Sequence, residues 1–395
     1  MKILFCWDGE YPWDVRVEKV CNSLIKAGHT IHLVCRNQRD LPREELYKGI
    51  LIHRIASLPK SFASVNSAFT FPAFFSPVWL RRLRQVAHGQ KCELVIVRDL
   101  PMSPAALWVG RACGIPILLD MAECYPEMLR CAWEFEGFRL SNLLVRNPRI
   151  ADAVEAFVLR RVDHIFVMVE ESRARLLAMG ISAGAISIVG NTPDQQRYPR
   201  AEPEPEAHHR ELRVAYVGLL NPSRGVDTVL DAAALLKATA FNVRIRIVGS
   251  GKHEERLRSR AESLQLQQQV EFTGWVDNSR VPAMIAAADV GIVPHYACGH
   301  WNTTIPNKLF DYMAAGKPVI VSDASPTARV VRETGCGLVY PSHSANALAD
   351  AIRQLRDPEL QRTLGRRGLH AIQQRYNWRK DEATLVAVVN GFAGG

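Results

Sequence analysis

The residues of this chain best placed to do chemistry lie in Pro306-Asn-Lys-Leu-Phe-Asp-Tyr-Met-Ala-Ala-Gly-Lys-Pro-Val-Ile320. Proline is favoured at the first helical position, and Gly316 followed by Lys317-Pro318 is a stop, so the spacing predicts a short helix over 306–315. With Pro306 at that first position, Ile305 occupies the cap and offers no side-chain acceptor to the first backbone N–H groups. Lys308 adds a cation to the first turn, which the helix dipole disfavours by about 0.3–1 kcal/mol. Two local rules broken at one helix end point to a bound anion. Asp311 stands one turn on, facing the same way as Asn307 and Lys308, where a carboxylate can accept hydrogen bonds from ribose hydroxyls. The plain alternative is a Lys308–Asp311 surface ion pair over an uncapped helix.

Two further segments carry chemistry-bearing residues. In Tyr216-Val-Gly-Leu-Leu-Asn-Pro-Ser-Arg-Gly225 a strand runs into a glycine loop, and Arg224 can reach a diphosphate with its planar fork. Val248-Gly-Ser-Gly251 is another loop suited to close approach, although it lacks the full dinucleotide fingerprint. In Leu119-Asp-Met-Ala-Glu-Cys-Tyr-Pro126, Asp120 and Glu123 follow a strand and can orient a hydroxyl or steady developing positive charge. Glu123 has a structural alternative, a pairing with Arg98 or Arg130. His295, just past Pro294 at a strand end, could line the ligand cleft, but reads more simply as an ordinary loop histidine. No acidic pair flanked by apolar strand residues offers a metal site, and the cations provide another way to neutralise a leaving diphosphate. The chemistry is therefore expected to need no metal and no cofactor beyond its substrate.

These segments must be positioned by strands and helices, and the hydrophobic pattern supplies both in alternation. Strands are expected at 2–7, 30–35, 94–98, 115–120, 164–169 and 185–189, with helices at 15–27, 104–112 and 172–179. A polar, proline-rich stretch at 198–209 reads as a linker. The alternation then restarts, with strands at 212–217, 244–248, 270–273, 290–293 and 318–322. Such a series implies right-handed crossovers and two consecutive parallel-sheet α/β domains, with ligands at the carboxyl ends of the strands in a cleft.

The bulk numbers fit this. The 395 residues suffice for two domains, and 48% hydrophobic with 23% charged is a globular composition. The nine cysteines include no C-x-x-C pair, so reduced thiols in a cytosolic protein are expected. No signal-peptide pattern opens the chain and no apolar run approaches membrane-spanning length. The net charge of +9 is concentrated: 46–92 holds seven basic residues and no acidic one. Phe74, Phe75, Trp79, Arg81, Arg82 and Arg84 lie in that window and suit an anionic membrane surface. A helix with one buried face and solvated arginines is the alternative. Nucleic acid is a poorer fit, since no recognition motif accompanies the charge.

In order, G-x-L-x-x-x-[KR]-G, I-V-G-x-G, V-x-F-x-G-W-V, A-D-V-G-I-V-P and K-x-F-[DE]-Y-M-A-x-G-K-P-V-I resemble the retaining glycosyltransferases of family 4, almost continuously over 214–322. Asp14-Val-Arg-Val17, Gly28-His-Thr-Ile31 and Gly190-Asn-Thr-Pro-Asp194 agree in outline. The resemblance implies a GT-B fold, two Rossmann-like doubly wound domains with a cleft between them. The acceptor domain would span 1–197, the donor domain 198–376, and a final helix at 377–395 would cross back to the first. It implies a UDP-sugar donor in preference to a GDP-sugar, and a glycan or polyprenyl-linked acceptor at the cytoplasmic membrane face. A catalytically silent sugar-nucleotide-binding partner and a nucleotide-sugar epimerase are the alternatives. Arg224 and Lys308 would hold the diphosphate, with Gly218, Gly249, Trp275, Thr303, Thr304, Asn307 and Asp311 completing the donor site. Asp120 and Glu123 would serve catalysis, and Asp8, Arg16 and Arg98 the acceptor. Trp275 stands near the expected base position, although a packed core tryptophan is the plainer reading. Three departures stand out: Ala122 replaces the usual histidine, Thr303 replaces the first of two acids, and Leu219 replaces an arginine.

Overall fold

The computed structural model describes residues 1–12, 14–55, 76–137, 146–194 and 211–393. By their contacts the described residues form two compact units, Met1–Arg130, Phe138–Gly190 and Asp381–Gly395 in one, and Cys131–Gly137 and Asn191–Lys380 in the other. The division falls at Gly190 rather than at 197, because the Arg16 guanidinium donates to the carbonyls of Val189 and Gly190 at 3.0 Å each. The returning segment starts at Asp381 rather than 377, and the Asp381 carboxylate accepts from the Gly190 amide at 2.8 Å. The proline-rich stretch at 198–209 lies outside the described residues, as do Phe74 and Phe75.

Among the described residues the first unit carries eight strands: β1 (Lys2–Glu10), β2 (Thr30–Arg36), β3 (Glu44–Tyr47), β4 (Ile50–Arg54), β5 (Leu94–Arg98), β6 (Ile117–Met121), β7 (His164–Val167) and β8 (Ile186–Ile188). Their order is β3-β4-β2-β1-β5-β6-β7-β8, parallel throughout except for the β3–β4 pair. The apolar runs of β1 and β5 are fully buried, as expected of strands covered on both faces. The β3–β4 hairpin turns through Lys48 and Gly49, both at positive φ, 48° and 82°. The chain leaves β1 for β2 on one side and later for β5 on the other, so the sheet reverses direction between β1 and β5.

The second unit carries β9 (Leu212–Val217), β10 (Val243–Val248), β11 (Val270–Gly274), β12 (Val290–Val293), β13 (Val319–Ser322) and β14 (Gly337–Tyr340). Their order is β11-β10-β9-β12-β13-β14, all parallel. Here the reversal lies between β9 and β12. In open parallel sheets the crevice at such a reversal, beyond the carboxyl ends of the strands, is where ligands bind. Gly218 follows β9 and His295 follows β12, so both flank that crevice.

Within the basic window, Pro77–Gly89 forms a helix that buries Trp79, Leu83, Val86 and Ala87. Trp79 is 0% exposed in the core of the first unit, which removes it from any surface role. Arg82 pairs with Glu44 at 3.0 Å, Arg84 lies over the Trp108 ring, and Arg81 and Arg84 are exposed. The amphipathic period decides this: Trp79 shares a face with Leu83 and Val86, and the arginines fall on the other.

Candidate functional site

In the second unit the loop after β9 is threaded close to its neighbours. Gly218 has φ 143°, and a Cβ there would lie 2.7 Å from Lys308 Nζ and 3.7 Å from Arg224 Nη1. Gly249, at φ 133°, packs so closely that a Cβ would sit 2.0 Å from the Gly218 carbonyl oxygen. Only glycine tolerates both the dihedral and the approach. The space over Gly218 is thus where an ammonium and a guanidinium converge.

Lys308 is 6% exposed, its Nζ lies 3.7 Å from the Tyr216 ring centroid, and among the described residues it has no hydrogen-bond partner. Burial, followed by the neighbouring Arg224 charge, pushes its ammonium well below the usual lysine range, with Asp311 opposing. Arg224, half-buried, lies 5.1 Å over the Trp301 ring, and Trp301 Nε1 donates to Ser223 Oγ at 3.3 Å. Two cations held together with a buried, unsatisfied ammonium are costly by themselves; a polyanion removes both penalties.

The helix carrying Lys308 is Asn307–Ala314, with Pro306 in the cap position (φ −76°, ψ 135°) and no side-chain cap. Pro306 is therefore the cap and not the first helical residue, because its ψ is extended. Lys308 still lies in the first turn, beside backbone N–H groups that the helix leaves unpaired. Asn307 is exposed and Asp311 half-buried on that helix. Thr303 Oγ1 donates to the carbonyls of Gly299 and His300 at 3.0 Å each, so its hydroxyl serves its own loop, and Thr304 is buried. Trp275 is 68% exposed just past β11, where Gly274 accepts from the Gly249 amide at 2.9 Å. A packed core position for Trp275 is thereby corrected: the chain has left the sheet at Gly274, and the side chain is open to solvent.

The first unit treats its expected residues differently. Asp120 and Arg16 are each 1% exposed, and the guanidinium meets the carboxylate through Nε at 3.0 Å and Nη2 at 2.5 Å. With Arg16 also bound to two carbonyls, both side chains are bonded inside the unit, which favours structural roles over the expected catalysis by Asp120 and acceptor contact by Arg16. Asp8 pairs with Arg36. Arg98 bonds Asp14, which also caps the helix Val15–Lys26, and lies 3.5 Å from Asp99. Glu123 is exposed, while Arg98 and Arg130 are engaged by other carboxylates.

Comparison with known proteins bears on the family and the fold. Residues 14–192 match the model of the glycosyl transferase 4-like domain, and residues 199–370 match that of glycosyl transferases group 1. The chain belongs to the GT-B glycosyltransferases of the family 4 type. It is 30% identical over 231 residues to the putative colanic acid biosynthesis glycosyltransferase WcaL of Escherichia coli, covering 57% of this chain and 56% of that protein. It is 34% identical over 158 residues to the phosphatidyl-myo-inositol mannosyltransferase of Mycobacterium leprae, 40% of each. The chain thus spans about half the length of the curated relatives it matches. Among solved structures, sucrose-phosphate synthase from Thermosynechococcus elongatus superimposes with a TM-score of 0.80 at 19% identity, covering 100% of both chains. Anabaena HepE in complex with UDP superimposes with a TM-score of 0.72 at 16% identity, over 99% of this chain and 100% of that one. At these identities the likeness shows the fold.

One residue of the first unit escaped sequence reasoning. Asp99 closes β5 at the reversal of the first sheet, with φ 60° and ψ 166°, a conformation that is costly for any residue but glycine. Its Oδ1 accepts from the Ala122 amide at 3.0 Å, its carbonyl accepts from Ser103 Oγ at 2.8 Å, and its own amide donates to the Asp120 carbonyl at 3.1 Å. Burial pushes its carboxyl up to about 7; Arg98 and the Ala122 amide oppose this, while Glu123 and Asp120 add to it. The only sequence signal was its place directly after a strand, beside the more conspicuous Arg98.

Proposed function

We propose that this chain transfers a sugar, with retention and without a metal, from a nucleoside-diphosphate sugar to a glycan or lipid-linked acceptor in polysaccharide biosynthesis. The observation that carries the reading is the convergence of Lys308 Nζ and Arg224 Nη1 over Gly218. Two fixed cations there neutralise the departing diphosphate, and the phosphate can take the acceptor's proton as the bond to the sugar breaks. Asp311 serves the ribose and Trp275 the base. The favoured donor is a UDP-sugar. HepE with UDP supports this, whereas the relative named a GDP-mannose-dependent mannosyltransferase points to GDP.

The test is a panel of UDP- and GDP-sugars in EDTA, with a polyprenyl-linked acceptor presented with and without anionic vesicles. Transfer from one donor, insensitive to EDTA, is expected. A donor bound but never turned over would favour a silent binding partner, and isomerised donor without acceptor would favour an epimerase. A dependence restored only by magnesium or manganese would contradict the metal-free reaction. The membrane-face acceptor rests on exposed Arg81 and Arg84. No gain from vesicles removes that part alone. Among the described residues no helix is long and apolar enough to cross a membrane.

On the acceptor side, Asp99 and Glu123 are the carboxyls this reading assigns to the incoming hydroxyl, with Asp99 the one whose charge changes near neutrality. With its carboxyl at about 7, activity should rise through pH 7 as the carboxylate forms, and Asp99→Asn should lower the rate about tenfold and flatten that limb. Stability supplies an independent sign. The folded protein holds this proton more tightly than the unfolded chain, so stability falls as pH rises from about 4 to about 7 and stays lower above it. Asp99→Asn should therefore melt above the parent at pH 8 and level with it at pH 4. A pH–rate limb unchanged in the variant would remove Asp99 from the reaction.

A further inference from the structure

We propose that the imidazole of His295 is a third arm of the cradle formed by Arg224 and Lys308, donating a hydrogen bond to a phosphate oxygen of the donor's diphosphate. The proposal rests on the donor-site reading above and names a residue which that reading did not need.

His295 follows β12 directly across the sheet reversal from Gly218. Its side chain is 1% exposed, and among the described residues neither Nδ1 nor Nε2 has a hydrogen-bond partner. The backbone accounts for its place without the ring nitrogens: its carbonyl accepts from Ser322 Oγ, and the ring lies on Trp301 with centroids 4.0 Å apart. A phenylalanine would keep that ring contact and bury no polar atom. Burying two unsatisfied nitrogens is unfavourable unless a ligand satisfies them.

The charges that bear on the ring come from the same neighbours. Burial is the main force lowering its basicity, followed by the positive charges of Lys308, Arg224 and His300, from the helix Asn307–Ala314, the loop after β9 and its own loop. Tyr216 of β9 and Asp311 bear on the same cations. The imidazole is therefore neutral, with one N–H to donate and one lone pair to accept. Trp301 ties the set together, since it carries both the His295 ring and the Arg224 guanidinium. Three basic side chains from three separate segments, two of them buried and unsatisfied, thus meet at one end of the sheet. Their common complement is a compact polyanion, and a diphosphate has enough acceptor oxygens for all three.

The test is calorimetric titration of UDP, GDP, uridine and guanosine into the full chain and its His295→Phe and His295→Gln variants, with melting curves without nucleotide. Whichever diphosphate binds the parent should bind His295→Phe about tenfold more weakly, with nucleoside binding unchanged. His295→Gln, which keeps a donor, should recover most of the loss. His295→Phe should melt at or above the parent temperature, since it removes buried unsatisfied atoms. If the phenylalanine variant does not fold, His295→Ala replaces it in the comparison with glutamine. Equal diphosphate affinity in parent and variant overturns the proposal while leaving the donor site intact. Binding of neither UDP nor GDP to the parent overturns the donor-site reading and this inference with it.

Discussion

Lys308→Ala should lower kcat/KM for the nucleotide-sugar donor about a hundred- to a thousandfold, equivalent to about 3–4 kcal/mol of transition-state stabilisation. The size follows from position. The ammonium is 6% exposed and without a hydrogen-bond partner among the described residues, so it meets an anion in a poorly screened environment. Its charge matters most when the bond to the sugar breaks and negative charge grows on the diphosphate, so kcat should fall along with affinity. Arg224→Ala should cost less, about tenfold to a hundredfold, because the guanidinium is half-buried and shares the same anion. The double variant should lose less than the product of the two, since either cation alone has already lost part of a shared contact. Steady-state kinetics with the preferred donor reads all three. A Lys308→Ala variant with parental kcat and KM would refute the diphosphate assignment.

Asp120→Ala should destabilise the first unit by about 3–5 kcal/mol, because it leaves the buried Arg16 guanidinium without its counter-charge. The paired variant Arg16→Met with Asp120→Leu should recover part of this. It should not recover all, since Arg16 also satisfies the carbonyls of Val189 and Gly190. Denaturant unfolding measures the loss. The decisive contrast is Asp120→Asn: if Asp120 is structural, stability falls while the rate per folded molecule holds. An unchanged unfolding midpoint with abolished transfer would return Asp120 to catalysis.

What the sequence revealed and what it hid differ for physical reasons. Most strands of both sheets were legible because parallel strands covered on two faces are short unbroken apolar runs, as in Ile3-Leu4-Phe5-Cys6 and Leu94-Val-Ile-Val97, whereas β14, a short edge strand only partly buried, was not. The β3–β4 hairpin was not, because its turn residue Lys48 was read with the basic window and its strands are short. The pair Arg224 and Lys308 was visible because each breaks or decorates a local rule within a few residues. His295 was passed over because its meaning lies in contacts from Trp301, Arg224 and Lys308, which sequence distance conceals. Asp120 misled for the converse reason. A carboxylate at a strand end reads as available until its partner is known, and Arg16 lies 104 residues away. Trp79 was misassigned because composition counts aromatics without saying which helical face they occupy.

The central claim is retaining transfer from a nucleoside-diphosphate sugar held by Arg224 and Lys308. It is tested most directly by proton NMR of the anomeric centre in the product, formed from an α-linked donor in EDTA. A new α-linkage is expected, with its formation collapsing in Lys308→Ala. A β-linked product, or parental transfer by Lys308→Ala, would contradict it.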